Sequence, residues 1–202
     1  MLRAAITSFT LVFTLCGCGA ASDTPQAQNH SFTEIGSATL PSSHKAIFSA
    51  FKRSAGHQPE DLWFAAQSLD KVGARPMDAQ SNRALEWRKT ALKVNPKLAQ
   101  IHPPLRGRVK GPAYREYTLE PGETDIIREV YYAAEDATLS IDPHNGSLVL
   151  NVLEVNEAEP VCNLKADADR VSCAWMPLFT APYRISIRNT SAAKVSYILV
   201  SN

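Results

Sequence analysis

The chain has 202 residues, 45% of them hydrophobic and 20% charged, which is enough apolar material for one ordinary domain or two small ones. Its 21 lysines and arginines stand against 20 acids, a formal charge of +1. That balance gives no electrostatic ground for binding nucleic acid or for a charge-driven hold on a membrane surface.

The N-terminus reads as an export signal. Arg3 supplies a short positive region, and the apolar run Ala4–Leu15 is too short to span a bilayer. Leu15-Cys16-Gly17-Cys18 follows directly and resembles the bacterial lipobox, with Cys18 in the place of the lipid-bearing cysteine. Cys16 stands where that motif usually has Ser, Ala or Thr. The resemblance implies that residues 1–17 are a signal peptide, that Cys18 carries diacylglycerol and a further acyl chain such as palmitate, and that the mature protein is held at a membrane. Gly19, where an Asp would signal inner-membrane retention, points to the outer membrane. The alternative is an ordinary secretory signal cleaved near Ala20-Ala21. Losing Arg3 with the signal leaves 20 basic against 20 acidic residues.

Residues 18–42 are rich in Ala, Ser, Thr, Gln and Pro and read as a disordered tether. Residues 43–100 read as a helical segment. Ser42 or Ser43 is placed to cap a first helix with Ile47, Phe48 and Phe51 on one face, ending at Ala55-Gly56. Pro59, Glu60 and Asp61 open a second, with Leu62, Ala65, Ala66 and Leu69 at helical spacing and Gly73 as its stop. Ser81 opens a third, carrying Ala84, Trp87, Ala91 and Val94 up to Asn95-Pro96. Over Ala66–Gln100, residues Leu69, Gly73, Asp78, Ala84, Trp87, Ala91 and Ala99 fall near the pattern of a Sel1-like helical repeat. Only one copy is present, whereas repeat arrays need several to bury a core. The plainer reading is a helical hairpin packed on the rest of the chain. Residues 101–112 form a linker whose Arg106, Arg108 and Lys110 read as a solvated charge run.

From residue 113 to 202 the pattern changes to about eight short strands: Tyr114–Leu119, Asp125–Tyr132, Ala137–Asp142, Ser147–Leu153, Pro160–Leu164, Val171–Trp175, Tyr183–Asn189 and Lys194–Ser201. Asn145-Gly146 predicts a hairpin turn between the third and fourth, and Thr190–Ala193 a loop closing the last two as a hairpin. The segments YTLEPGETD, SCAWMPLFTAPYRISIRN and YILVSN resemble bacterial pre-peptidase C-terminal-type domains, with Ala181-Pro182 replacing a glycine usual in that family and without its central acidic pair. The resemblance implies a jelly-roll sandwich that serves exported proteins as a non-catalytic appendage. The fold expected is therefore α+β, a small N-terminal helical segment followed by an antiparallel β-sandwich able to fold without the helices.

Cys162 and Cys173 flank the polar stretch LKADADRV; in an oxidising compartment they predict a cross-strand disulfide. None of His30, His44, His57, His102 and His144 sits in a catalytic or metal-binding motif. Asp167 and Asp169, with Glu135 and Asp136, are the candidate oxygen ligands for calcium, against a plain solvated turn. Trp175, Phe179 and Tyr183 are the candidate aromatic platform for a sugar, against ordinary core packing. No catalytic residue, metal or cofactor is expected. The function expected is an envelope lipoprotein acting as a binding or structural module, with a carbohydrate-binding module as the alternative and a hydrolase third. The partner is an envelope protein or glycan, met through the loop Met176–Pro182, with Phe179 at its tip, or through the outward side chains Arg184, Ser186 and Arg188.

Overall fold

The computed structural model describes residues 39–77, 81–101 and 111–202. The signal peptide, Cys18, the tether up to residue 38, His30, His102 and the basic linker residues all lie outside them. Four helices come first: α1 (Ser42–Ser54), α2 (Pro59–Val72), α3 (Arg83–Val94) and α4 (Leu98–Ile101). A two-residue strand, β1 (Arg75–Pro76), interrupts them between α2 and α3. Eight strands follow: β2 (Ala113–Leu119), β3 (Thr124–Tyr131), β4 (Ala137–Pro143), β5 (Ser147–Glu154), β6 (Cys162–Asp167), β7 (Val171–Trp175), β8 (Ala181–Asn189) and β9 (Val195–Ser201). Each matches one of the expected strands.

The caps differ from expectation in two places. Asn82, rather than Ser81, caps α3, its Oδ1 accepting from the amides of Ala84 and Leu85. Pro41 precedes α1 without any side-chain cap, and Lys45 N donates to its carbonyl instead. Gly73 ends α2 in the left-handed region at φ 68°, as its position after the periodic residues predicts.

The strands form a five-stranded sheet, β1-β2-β9-β4-β7, facing a four-stranded one, β3-β8-β5-β6. All pairings are antiparallel except β1 with β2. Leaving β1 aside, the sheets interleave as first-eighth-third-sixth and second-seventh-fourth-fifth, which is the jelly-roll order. Their inner faces close over Leu139, Ile141, Leu148, Leu150, Val152, Ile185, Ile187 and Leu199, all with no exposed surface.

This order overturns both expected hairpins. Asn145-Gly146 does not pair β4 with β5, because β4 belongs to the five-stranded sheet and β5 to the other. The turn is a corner that carries the chain from one sheet to the next. Gly146 has φ +76°, and a Cβ there would stand 2.6 Å from Ser191 Oγ and 2.7 Å from Val195 Cγ2. Thr190–Ala193 is likewise a corner between sheets and not the loop of a closing hairpin. Among the eight main strands β2–β9, only β5 and β6 are neighbours both in sequence and in a sheet. The Cys162–Cys173 disulfide, with Cα atoms 6.3 Å apart, therefore joins β6 of one sheet to β7 of the other.

The helices lie against the outer face of the five-stranded sheet. Ile47, Phe48 and Phe51 of α1 cluster with Tyr114, Ile198 and Val200 from β2 and β9. The Phe51 ring meets Tyr114 edge-on at 5.4 Å and Trp87 of α3 at 5.1 Å. Arg83 of α3 reaches Glu116 of β2 at 2.6 Å, and its amide donates to the Tyr114 hydroxyl. The strand β1, which sequence periodicity did not disclose, hydrogen-bonds alongside β2 through Arg75 N to Pro112 O and Met77 N to Tyr114 O, and drops Met77 into the sandwich core. Among the described residues, one sheet is thus covered on both sides, and the other only on its inner side.

Candidate functional site

The bare outer face of the four-stranded sheet is set by strand alternation. On β3 Asp125, Ile127 and Tyr131 are buried, so Thr124, Ile126, Arg128 and Val130 point out; on β8 Tyr183, Ile185 and Ile187 are buried, so Pro182, Arg184, Ser186 and Arg188 point out. The register then forms rows across the strands. Arg128 stands directly opposite Arg184, with Leu153 of β5 on the far side. The next row is Ile126, Ser186, Asn151 and Asn163, and the one after it Thr124, Arg188, Val149 and Lys165.

Two like charges facing each other across an antiparallel pair repel, a cost of a few tenths to 1 kcal/mol relative to neutral neighbours. The one outward carboxylate of these strands is Asp167, and Lys165 holds it at 2.8 Å. Among the described residues no carboxylate forms an ion pair with Arg128, Arg184 or Arg188. Ile126 and Val130, 58% and 53% exposed, add apolar surface to the same face. Arg184 and Arg188 were legible as outward-facing from β8 alone; Arg128 was missed, because only the β3–β8 register brings it opposite Arg184.

Phe179 lies at one end of the sandwich, in the loop between β7 and β8. The neighbouring β3–β4 loop braces this turn: Ala134 N donates to Pro177 O at 2.9 Å and Ala133 N to Thr180 Oγ1 at 3.0 Å. Leu178 and Phe179 are each 75% exposed, and Met176, Tyr132 and Val155 are also largely open. The chain around this apolar tip is acidic, with Glu135 and Asp136 in one loop and Glu154, Glu157 and Glu159 along another.

Trp175, Phe179 and Tyr183 do not form a platform. Tyr183 is 1% exposed and packs with Trp175 at 5.6 Å and Tyr131 at 5.4 Å; Trp175 is partly buried against the core, and Phe179 is the widely exposed ring of the three. The Tyr183 hydroxyl donates to Glu154, and burial together with that carboxylate pushes its pKa up to about 12. The four carboxylates considered for calcium are also kept apart. Asp167 and Asp169 lie at the end of the sandwich marked by Ser147, whereas Glu135 and Asp136 follow Tyr131 at the opposite end. Among the described residues no cluster of three metal-binding side chains occurs.

Two buried polar arrangements escaped sequence reading. His44 Nδ1 is 2.8 Å from Ser140 Oγ, which is 2.9 Å from Ser172 Oγ. All three residues are 2% exposed or less, so this histidine–serine contact is closed to any substrate. Burial lowers the His44 pKa to about 4 and keeps the ring neutral. In the other, Asp125 of β3 accepts from Arg115 Nε and Nη2 at 2.9 and 3.0 Å and from the Tyr197 hydroxyl at 2.5 Å, joining the two sheets from within. No sequence signal shorter than the full strand order would have paired these residues.

No protein-family model matches the chain, and no curated protein does. Solved structures with partial similarity include the pre-peptidase C-terminal domain of a Bacillus anthracis collagenase, at 12% identity over 44% of this chain and 87% of that one, TM-score 0.40. Another is PliG of Aeromonas hydrophila, a periplasmic inhibitor of g-type lysozyme, at 16% identity over 45% of this chain and 84% of that one, TM-score 0.36. A de novo designed double-stranded β-helix overlaps 44% of this chain and 97% of its own, at 16% identity and TM-score 0.32.

Proposed function

We propose that this chain is a non-catalytic binding module of the bacterial envelope, held to the outer membrane by lipid on Cys18, and that it meets its partner through the outer face of the four-stranded sheet. The observation that carries the reading is the asymmetry of the sandwich. Helices cover one outer face, and the other presents Arg128 opposite Arg184 without a counter-charge among the described residues. A face that tolerates such repulsion and keeps Ile126 and Val130 in water suits a surface completed by something else. The membrane anchor rests on the Leu15–Cys18 motif.

The non-catalytic reading is supported by what the candidate groups do. Acid–base or nucleophilic chemistry needs a reactive group within reach of substrate. His44 and Ser140 are sealed beneath α1, and Asp125 is occupied by Arg115 and Tyr197.

In-cell photocrosslinking tests the surface. A photoreactive residue at Ile126 should capture a partner, and one at Lys89 on exposed α3 should not. Equal capture from both positions, or none from Ile126, would contradict the assignment.

A further inference from the structure

We infer, resting on the sheet face just described, that its occupant is an anionic polysaccharide, a glycan chain bearing carboxylate or phosphate groups. The face carries two cationic rows with a polar row between them. Arg128 and Arg184 form the first, their Cβ atoms about 5 Å apart by strand geometry. Arg188 forms the second, about 13 Å along β8 from Arg184, while Lys165 two strands over in the same row is paired with Asp167. Between them lie Ser186, Asn151 and Asn163 in one register row. Among the described residues none of these three side chains has a hydrogen-bond partner. Arginines address anionic groups, while amides and a hydroxyl address a run of neutral hydroxyls. Charge, then hydroxyl donors and acceptors, then charge is the chemistry of an acidic glycan lying along the sheet.

Three other occupants fit less well. An anionic membrane would meet the apolar tip, the surface best able to insert, but that tip is accompanied by Glu135, Asp136, Glu154, Glu157 and Glu159. An acidic peptide added to a sheet binds along a strand edge, whereas these groups point out from the face. A neutral sugar wants a stacking platform, and Trp175 and Tyr183 are turned inward.

The test uses the full mature chain reconstituted, free of detergent, in phosphatidylcholine nanodiscs. Its binding is measured by calorimetry to four probes: polygalacturonate, dextran of matched length, poly-glutamate, and phosphatidylglycerol vesicles. Polygalacturonate should bind and dextran should not. R184E should weaken polygalacturonate about tenfold, with an effect that shrinks as salt rises. The double variant N151A/N163A should weaken polygalacturonate about fivefold, near the worth of one hydrogen bond, and leave any residual poly-glutamate binding unchanged. Poly-glutamate or vesicles binding more tightly than polygalacturonate, with R184E still harmful, would overturn the glycan while leaving the face as the site. No probe responding to R184E, together with no crosslinking from Ile126, would overturn the face itself.

Discussion

His44 of α1 and Ser140 of β4 are 96 residues apart in sequence and 2.8 Å apart in the fold, and their contact fastens the first helix to the sandwich. The imidazole is fully buried and its Nε2 has no partner among the described residues, so a charge there has nowhere to go.

The consequence is acid sensitivity. Burial lowers the folded-state pKa of His44 from 6.5 to about 4. A histidine with a depressed pKa contributes stability that is whole above pH 6.5 and fades as pH falls toward 4, where protonation favours the unfolded chain. The loss between those limits is about 3 kcal/mol at 1.36 kcal/mol per pH unit. Urea unfolding at pH 7 and pH 4.5 should show His44→Asn losing less stability on acidification than wild type. Parallel losses would mean that other groups govern the acid response.

The same packing argues against independent folding of residues 113–202. The strand pattern is complete in that span, yet Tyr114, Ile198 and Val200 lie under α1 and α2, and Met77 of the preceding segment fills the core. Stripping the helices forfeits burial of about 1.5–3 kcal/mol per large side chain, on the order of a small domain's whole stability. A fragment starting at Pro112 should aggregate or melt well below the intact chain. Matching melting temperatures would show the sheet stable on its own.

The Asp125 cluster should be costly to break. Asp125 and Arg115 side chains are 8% and 15% exposed, and removing the carboxylate takes away the buried acceptor that both Arg115 and the Tyr197 hydroxyl use. Asp125→Ala should destabilise by about 3–5 kcal/mol, and the pair D125A/R115M by less than the sum of its parts. Additive losses would deny the coupling. Burial, followed by the Asp125 hydrogen bond, also raises the Tyr197 pKa well above its ordinary value, so this hydroxyl should not ionise before alkaline unfolding.

The disulfide between the sheets closes an 11-residue separation, for which the chain-entropy model gives about 3 kcal/mol. Reduction should lower the melting temperature by several degrees without changing the circular dichroism signature at 20 °C or so. An unchanged melting point on verified reduction would show that the core alone fixes β6 against β7.

The limits of sequence reading follow from this architecture. All eight main strands were legible because period-2 alternation is a property of the strand itself, as in Tyr183, Ile185 and Ile187 against Arg184, Ser186 and Arg188. Partnership was not. Asn145-Gly146 has the local chemistry of a hairpin, but a corner between sheets uses the same left-handed glycine, and what marks the corner is the close approach of Ser191 and Val195 to Gly146. Of the candidate site, Arg184 and Arg188 could be read from β8, while Arg128 and the Asn151–Asn163 row needed the register. His44 stood in an amphipathic helix with nothing nearby in sequence to mark Ser140 as its partner.

Arg128→Glu tests the account most directly, because it separates binding from stability. The substitution replaces a repulsive cross-strand pair with an attractive one, so thermal unfolding should be unchanged or raised by an amount worth a few tenths to 1 kcal/mol. Binding of the polygalacturonate probe should fall about tenfold in the same preparation. A variant that is equally or more stable yet binds poorly is the predicted result. A variant that binds as wild type does would contradict the assignment of this face as the functional surface.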